Sequence, residues 1–236
     1  MNLAEQILYE DNHLLLLNKR SGQIVQSDET GDACLQELLK NFLKEREHKP
    51  GNVFCGVIHR LDRPVSGVVV FAKTSKALSR MNAQVKERLV NKTYWALSKQ
   101  RPPEDSGLLD DWLLRNPKQN KSYIVAPHTA GAKEASLDYM LRGQSRGGYY
   151  LIEVHLHTGR HHQIRTQLSH MGCVIKGDLK YGATRSNPDA GISLHSRCIS
   201  FEHPVSHDFI SVEAPLPNDP VWDDFRDMQC IQKGMP

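Results

Sequence analysis

Apolar positions along the chain fall mostly into short runs of period two, with only a few helical stripes. Residues 5–26 (EQILYEDNHLLLLNKRSGQIVQ) read as a strand, a turn at Glu10-Asp11-Asn12 and a second strand. Asp32 is placed to cap a helix through Lys44 that carries Leu35, Leu38, Leu39, Phe42 and Leu43 on one stripe. A polar loop from Glu45 to Asn52 leads to a short apolar strand, Val53 to Ile58, and then to a β-branched strand, Val68 to Lys73. Thr74 or Ser75 caps a second helix with Leu78, Met81, Val85 and Leu89, stopped at Asn91. Thr93 to Ser98 is a strand, and 99–111 and 116–133 read as loops on their prolines. Residues 134–142 and 149–157 pair across Gly147-Gly148. Gly159-Arg160 introduces a helix with His161, Ile164, Leu168 and Met171 on one face. Gly182 to Gly191 is a polar loop, and Ile192 to Phe201 and Phe209 to Val212 are strands before an acidic tail.

Many strands, few helices and no regular βαβ alternation predict an α+β fold with a mixed, mostly antiparallel sheet flanked by helices and loops. No Gly-, Ser- or Pro-rich linker divides the chain, so one domain over residues 1–236 is expected, with its core at about 5–215. Hydrophobic residues at 39% and charged residues at 24% exclude a disordered or fibrous chain. The longest apolar runs, Leu14 to Leu17 and Gly67 to Ala72, are too short to span a bilayer. The acidic opening MNLAEQILYEDN has no basic region followed by an apolar run. A cytoplasmic protein without membrane contact is therefore expected. The five cysteines (Cys34, Cys55, Cys173, Cys198, Cys230) are scattered and form no C-x-x-C, which fits reduced thiols.

The net charge of +3 conceals an uneven distribution. Residues 59–101 carry ten Lys/Arg against Asp62 and Glu87, and residues 155–185 carry five against Asp178, with five histidines besides. The last 51 residues hold three bases and eight acids. Two basic segments in an otherwise acidic chain suit either a polyanion-binding face or ordinary solvated helix faces.

The segment His59 to Gly67 (HRLDRPVSG) sets one carboxylate between Arg60 and Arg63, just beyond an apolar strand. Flanking positive charge favours the carboxylate form, so Asp62 is fitted to act as nucleophile or base. Equally, an aspartate there can satisfy turn backbone and pair with a neighbouring arginine. Tyr94 offers a flat apolar face and a hydroxyl, or is a core aromatic on its strand.

HRLD followed by SGVVVFAK resembles the signature of the RluA-type pseudouridine synthases, which isomerise uridine to pseudouridine in structured RNA. The resemblance extends through ILYEDNHLLLLNK (7–19), KTYWAL (92–97), Lys133-Glu134-Ala135, TGRHHQIRTQL (158–168), DLKYG (178–182) and LHSRCISFEHP (194–204), in order over about residues 5–215. It implies a catalytic domain of that family, needing no cofactor. It further implies Asp62 as catalytic aspartate, Tyr94 as the tyrosine that contacts the target base, and Arg165 as the aspartate's ion-pair partner. Arg60 matches the motif arginine that acts around the flipped nucleotide, and Ile164 or Leu194 would pack the pocket. Arg20 departs from the family, where proline often follows Asn-Lys. HRLD begins only 58 residues in, leaving no room for the N-terminal RNA-binding domain of many relatives. RNA selection is then expected to rest on the catalytic domain itself.

The chemistry is consistent with those residues. A stacked uridine must be flipped into a pocket before its glycosidic bond can be broken and remade through carbon. A carboxylate can assist by attacking the sugar or the base ring, or by deprotonating the sugar. His59, Arg63 and the basic helix residues Lys76, Arg80, Lys86 and Arg88 are candidates for contacts to the RNA. His155, His157 and His161 raise a zinc hydrolase as a rival, but no cysteine or carboxylate stands at matching spacing, and no metal is expected. A non-catalytic RNA-binding protein is the other rival, although plain RNA binding needs no carboxylate in a basic site. Structured RNA, ribosomal or transfer, is the expected partner, and a monomer the expected state.

Overall fold

A computed structural model describes residues 2–27, 31–48 and 50–231. The chain forms two compact units, Met1–Asn91 with Cys198–Pro215 and Lys92–Arg197 with Leu216–Pro236.

The first unit opens with an antiparallel hairpin of β1 (Ile7–Glu10) and β2 (Leu14–Lys19). Asp11 makes the expected turn, its Oδ1 accepting from the amides of His13 and Leu14, each at 2.7 Å. Helix α1 (Leu35–Arg46) follows. It starts later than Asp32, because the carbonyls of Ile24 and Val25 accept from the amides of Leu35 (2.7 Å) and Gln36 (3.1 Å). The carbonyls of a neighbouring segment thus do the work of a capping side chain, and Asp32 accepts from Arg63 instead (2.9 Å).

The expected strand at 53–58 contracts to β3 (Gly56–Val57), which pairs with β4 (Ser66–Ala72). β2 and β4 are antiparallel, with Leu14 opposite Ala72 and Lys19 opposite Gly67. Helix α2 (Ser75–Lys86) is capped by Thr74, whose hydroxyl accepts from the Ala77 amide at 3.2 Å. It stops before the predicted Asn91 because Arg88 turns left-handed (φ 62°) and the Leu89 amide closes onto the Gln84 carbonyl at 2.9 Å. Leu89, 57% exposed, is therefore off the buried stripe. Alternate residues Leu14, Leu16, Val68, Val70 and Ala72 pack with Ala77 and Met81 of α2 and with Ile199 and Phe201 in one core.

The second unit is built on β5 (Asn91–Ser98), β6 (Ser106–Asn116), β7 (Lys121–Val125), β8 (Lys133–Gln144) and β9 (Tyr150–Leu156). They lie in the order β5-β9-β8-β6-β7, each neighbouring pair antiparallel. β6 and β7 occupy stretches that read as loops. In β6 burial alternates between exposed and half-buried from Ser106 to Asp111, but the residue types do not follow it, since Leu108 and Leu109, and Asp110 and Asp111, fall on opposite sides.

Helix α3 (Gln163–His170) packs on these strands. The Gln167 amide nitrogen donates to the carbonyls of Leu109 (3.2 Å) and Ala135 (3.1 Å) and to the Asp111 carboxylate (2.8 Å). His161 lies outside the helix, since His162 is its left-handed N-cap (φ 54°), and Met171 is its C-cap. β10 (Leu194–Glu202) begins in the second unit and continues in the first, where Cys198–Glu202 pair antiparallel with β11 (Phe209–Glu213). The acidic segment after 215 is packed: Trp222 and Phe225 are each 2% exposed, and Arg146 is paired with Asp224.

Candidate active site

The candidate residues divide between the two units. In the first, β3 delivers the chain to His59-Arg60-Leu61-Asp62, and β4 carries it away. Asp62 is half-buried at the head of a tight turn, its carbonyl accepting from the Val65 amide at 3.0 Å.

The turn is fastened from beneath by a residue that the sequence reading did not single out. Lys19, fully buried at the end of β2, donates from Nζ to the carbonyls of Val65 (2.5 Å), Arg63 (3.0 Å) and Arg20 (3.2 Å). The Gly22 amide adds a second donor to the Arg63 carbonyl, at 2.9 Å. Burial pushes the Lys19 ammonium down to about 7, against the attraction of Asp62, which holds it up. Its signal in the sequence is a lysine closing the apolar run LLLLNK, a cation where the pattern demands burial.

His59 accepts from the Val70 amide through Nε2 at 3.3 Å, which ties the loop back to β4. Arg60 is exposed. Arg63 reaches Asp32 across a solvent-exposed pair, worth at most about 1 kcal/mol. Of the α2 candidates, Lys76 is exposed, while Arg80 donates to the Pro204 carbonyl at 2.6 Å.

In the second unit, Tyr94 is 6% exposed on β5 opposite Val154. Leu194, at the start of β10, and Ile164, on α3, are both buried. Arg165, next along α3, is held by a bidentate pair: Nε donates to Asp178 Oδ2 at 2.7 Å and NH2 to Oδ1 at 2.8 Å. Both side chains are almost fully buried, so this is a fixed, charge-assisted fork. Asp178 too was not singled out, although it is the lone acid among the cations of residues 155–185.

The Arg165 guanidinium also lies over the Tyr181 ring, 5.1 Å from its centre. The Tyr181 hydroxyl accepts from the Ser122 amide at 2.9 Å and meets His162 Nδ1 at 3.0 Å and Thr166 Oγ1 at 3.2 Å. Burial, then the charge of Arg165, drives His162 down to about 2, so its ring is neutral at physiological pH.

The histidines raised as metal ligands have separate engagements. His155 meets Glu153 (3.0 Å) and Thr93 (3.2 Å), His157 meets Asp138 (3.0 Å), and His161 meets Ser122 (2.8 Å) and Asn120 (3.0 Å). Glu153 is fully buried. Burial pushes its carboxyl up, but His155, the Trp95 indole and Arg142 together outweigh that and hold it low.

Residues 13–170 match the family model described as RNA pseudouridylate synthase. The chain belongs to that family. An uncharacterised RNA pseudouridine synthase of Synechocystis is 32% identical over 220 residues, covering 92% of this chain and 67% of its own length. The ribosomal large subunit pseudouridine synthase C of Buchnera aphidicola is 33% identical over 224 residues, covering 91% of this chain and 68% of its own length. Human RNA pseudouridylate synthase domain containing 4 shares the fold, with a TM-score of 0.77 at 23% identity over 92% of this chain and 90% of that one. The synthase is thus an isomerase that converts uridine to pseudouridine in RNA, on an α+β fold, as the HRLD segment and its companions led one to expect.

Proposed function

We propose that the synthase isomerises one specific uridine of a structured ribosomal or transfer RNA, and that Asp62 is its catalytic carboxylate. The observation that carries this reading is the Asp62 turn, whose backbone is fixed by a buried ammonium while the carboxylate itself remains half-exposed in a basic loop. The reaction moves C1′ of the ribose from N1 to C5 of the same uracil. The C5 proton is given up and N1 regains one, so atoms balance without a co-reactant. A carboxylate held at one position is suited to assist the detachment and to take part in the proton transfers.

Arg165, itself oriented by Asp178, is the cationic partner of that carboxylate, and Tyr94 is the base-contacting ring. Arg60 acts on the surroundings of the flipped nucleotide. His59, Arg63, Lys76 and Arg80 contribute positive charge or hydrogen bonds toward RNA, with Ile164 and Leu194 as apolar packing. The name of the Buchnera relative favours ribosomal RNA among the substrates. None of the five cysteines is in a disulfide, which suits a reducing compartment and a cytoplasmic protein, acting as a monomer in this reading. Among the described residues no helix is long and apolar enough to cross a membrane.

The test uses unmodified transcripts of large-subunit ribosomal RNA and of transfer RNAs, incubated with the purified protein and read by mass spectrometry. New pseudouridine at a single position in one of them is expected. RNA that is bound but never modified contradicts the reading and leaves a binding module.

A further inference from the structure

Tyr94 lies between two neighbours whose side chains are fastened to one buried carboxylate. Successive residues of a strand point to opposite faces, so Thr93 and Trp95 of β5 lie on the sheet face behind Tyr94. Across the ladder, Thr93 stands opposite His155, Tyr94 opposite Val154 and Trp95 opposite Glu153. The Trp95 indole donates to Glu153 Oε2 at 2.9 Å. Glu153 Oε1 meets His155 Nε2 at 3.0 Å, and His155 Nδ1 meets the Thr93 hydroxyl at 3.2 Å. Glu153 thus grips Trp95 directly and Thr93 through His155, the residues on either side of Tyr94.

The cluster is both buried and charged. Glu153 and Trp95 are fully buried. Arg142 of β8 donates from NH1 to the Glu153 carboxylate and from NH2 to the Gln229 carbonyl, the latter at 3.1 Å. The Ile231 amide adds a donor to Glu153 Oε1 at 3.3 Å. Burial pushes the Glu153 carboxyl up, yet His155, the indole and Arg142 outweigh it and keep the group ionised. Apolar side chains of similar volume would hold a sheet about as firmly as a buried ion pair does, so stability alone does not account for these charges. What they add is direction, because hydrogen bonds fix distance and angle and apolar packing does not.

We propose that Glu153 is a positioning residue for the reaction: from the back of the sheet it sets the placement of the Tyr94 ring, through Trp95 on one side and through His155 and Thr93 on the other, with Arg142 holding the carboxylate in place. This rests on the reading of Tyr94 as the ring that contacts the target base. A flipped base reacts only in a narrow range of geometries, so a small displacement of that ring costs rate. RNA affinity, which comes mainly from phosphate contacts, is left as it was.

Glu153→Gln is the first variant, since it keeps the shape and removes the charge. The protein is labelled throughout with 3-fluorotyrosine, and the fluorine resonance of Tyr94 is assigned as the one of seven that Tyr94→Phe lacks. In Glu153→Gln that resonance should shift or broaden while the other six hold. Single-turnover pseudouridine formation on the transcript that the wild type modifies should fall by about 10- to 100-fold, with the Kd for that transcript unchanged. Thr93→Val, which deletes one hydroxyl from the same chain of bonds, should move both readouts in the same sense and by less; if Glu153→Gln fails to fold, Thr93→Val decides alone. A Tyr94 resonance that stays in place overturns the positioning role. So does one that moves while the rate constant holds, and so does a loss of rate matched by an equal loss of affinity. Tyr94→Ala turning over at the wild-type rate overturns instead the reading of Tyr94 on which the proposal rests.

Discussion

The turn that carries Asp62 and the helix that carries Arg165 are fixed by different chemistry. Around Asp62, backbone carbonyls converge on a single ammonium, Lys19, which burial has pushed down to about 7. Around Arg165, side chains do the holding: a bidentate carboxylate, a tyrosine face and, through that tyrosine, a serine amide, a threonine and a neutral histidine. The first arrangement hinges on one proton. The second has several contacts, and burial with the charge of Arg165 keeps its histidine neutral. Placement of the carboxylate should therefore be sensitive to pH and to one lysine, and placement of the guanidinium to its carboxylate partner Asp178.

The largest effect on stability should come from Asp178→Ala. It removes the buried carboxylate that holds Arg165 in a bidentate fork, a loss of about 3–5 kcal/mol, or roughly 10 °C in Tm by calorimetry. An unchanged Tm would show that the fork is dispensable and would blur the contrast between the two regions. Lys19→Met comes next. It removes the donor that serves two turn carbonyls, and turnover should fall by about 100-fold if Asp62 shifts by as little as 1 Å.

The same variant sharpens the pH side of the comparison. Lys19 has a folded value of about 7 and an ordinary value of 10.5, so between those pH values the unfolded chain holds the proton that the folded chain has released. This group therefore makes the wild type gain stability as pH rises from about 7 toward 10.5, and its burial costs most below that window. Denaturant titrations should show a shallower pH dependence in Lys19→Met than in the wild type; identical profiles would refute the assignment. Tyr181→Phe should cost about 1–3 kcal/mol, because it leaves the buried Ser122 amide without its acceptor. Smallest is Arg63→Ala, under about 1 kcal/mol in stability, since its pair with Asp32 is open to solvent.

The asymmetry also explains what could be read from residues alone. The β-branched run of β4, the Thr74 cap and the Asp11 turn are decided by near neighbours, and they stood out. The α1 cap did not, because the carbonyls that satisfy it come from Ile24 and Val25, ten and more residues upstream. β6 was hidden because its residue types do not follow its burial: leucine and aspartate each occupy both an exposed and a half-buried position.

In the site, Asp62 and its arginines lie within one short motif and were legible at once. Lys19 reaches that motif across 44 to 46 residues, and Asp178 reaches Arg165 from 13 residues away. Their traces were only a cation closing an apolar strand and a lone acid in a basic stretch. Such traces become roles when the fold supplies the partner.

The most direct measurement is single-turnover pseudouridine formation by Asp62→Ala beside the wild type, on the transcript that the wild type modifies, with RNA affinity and Tm measured on the same preparations. The account predicts an Asp62→Ala protein that folds, binds the RNA about as well as the wild type, and makes no pseudouridine. Measurable turnover by that protein would contradict the assignment of Asp62 as the catalytic carboxylate.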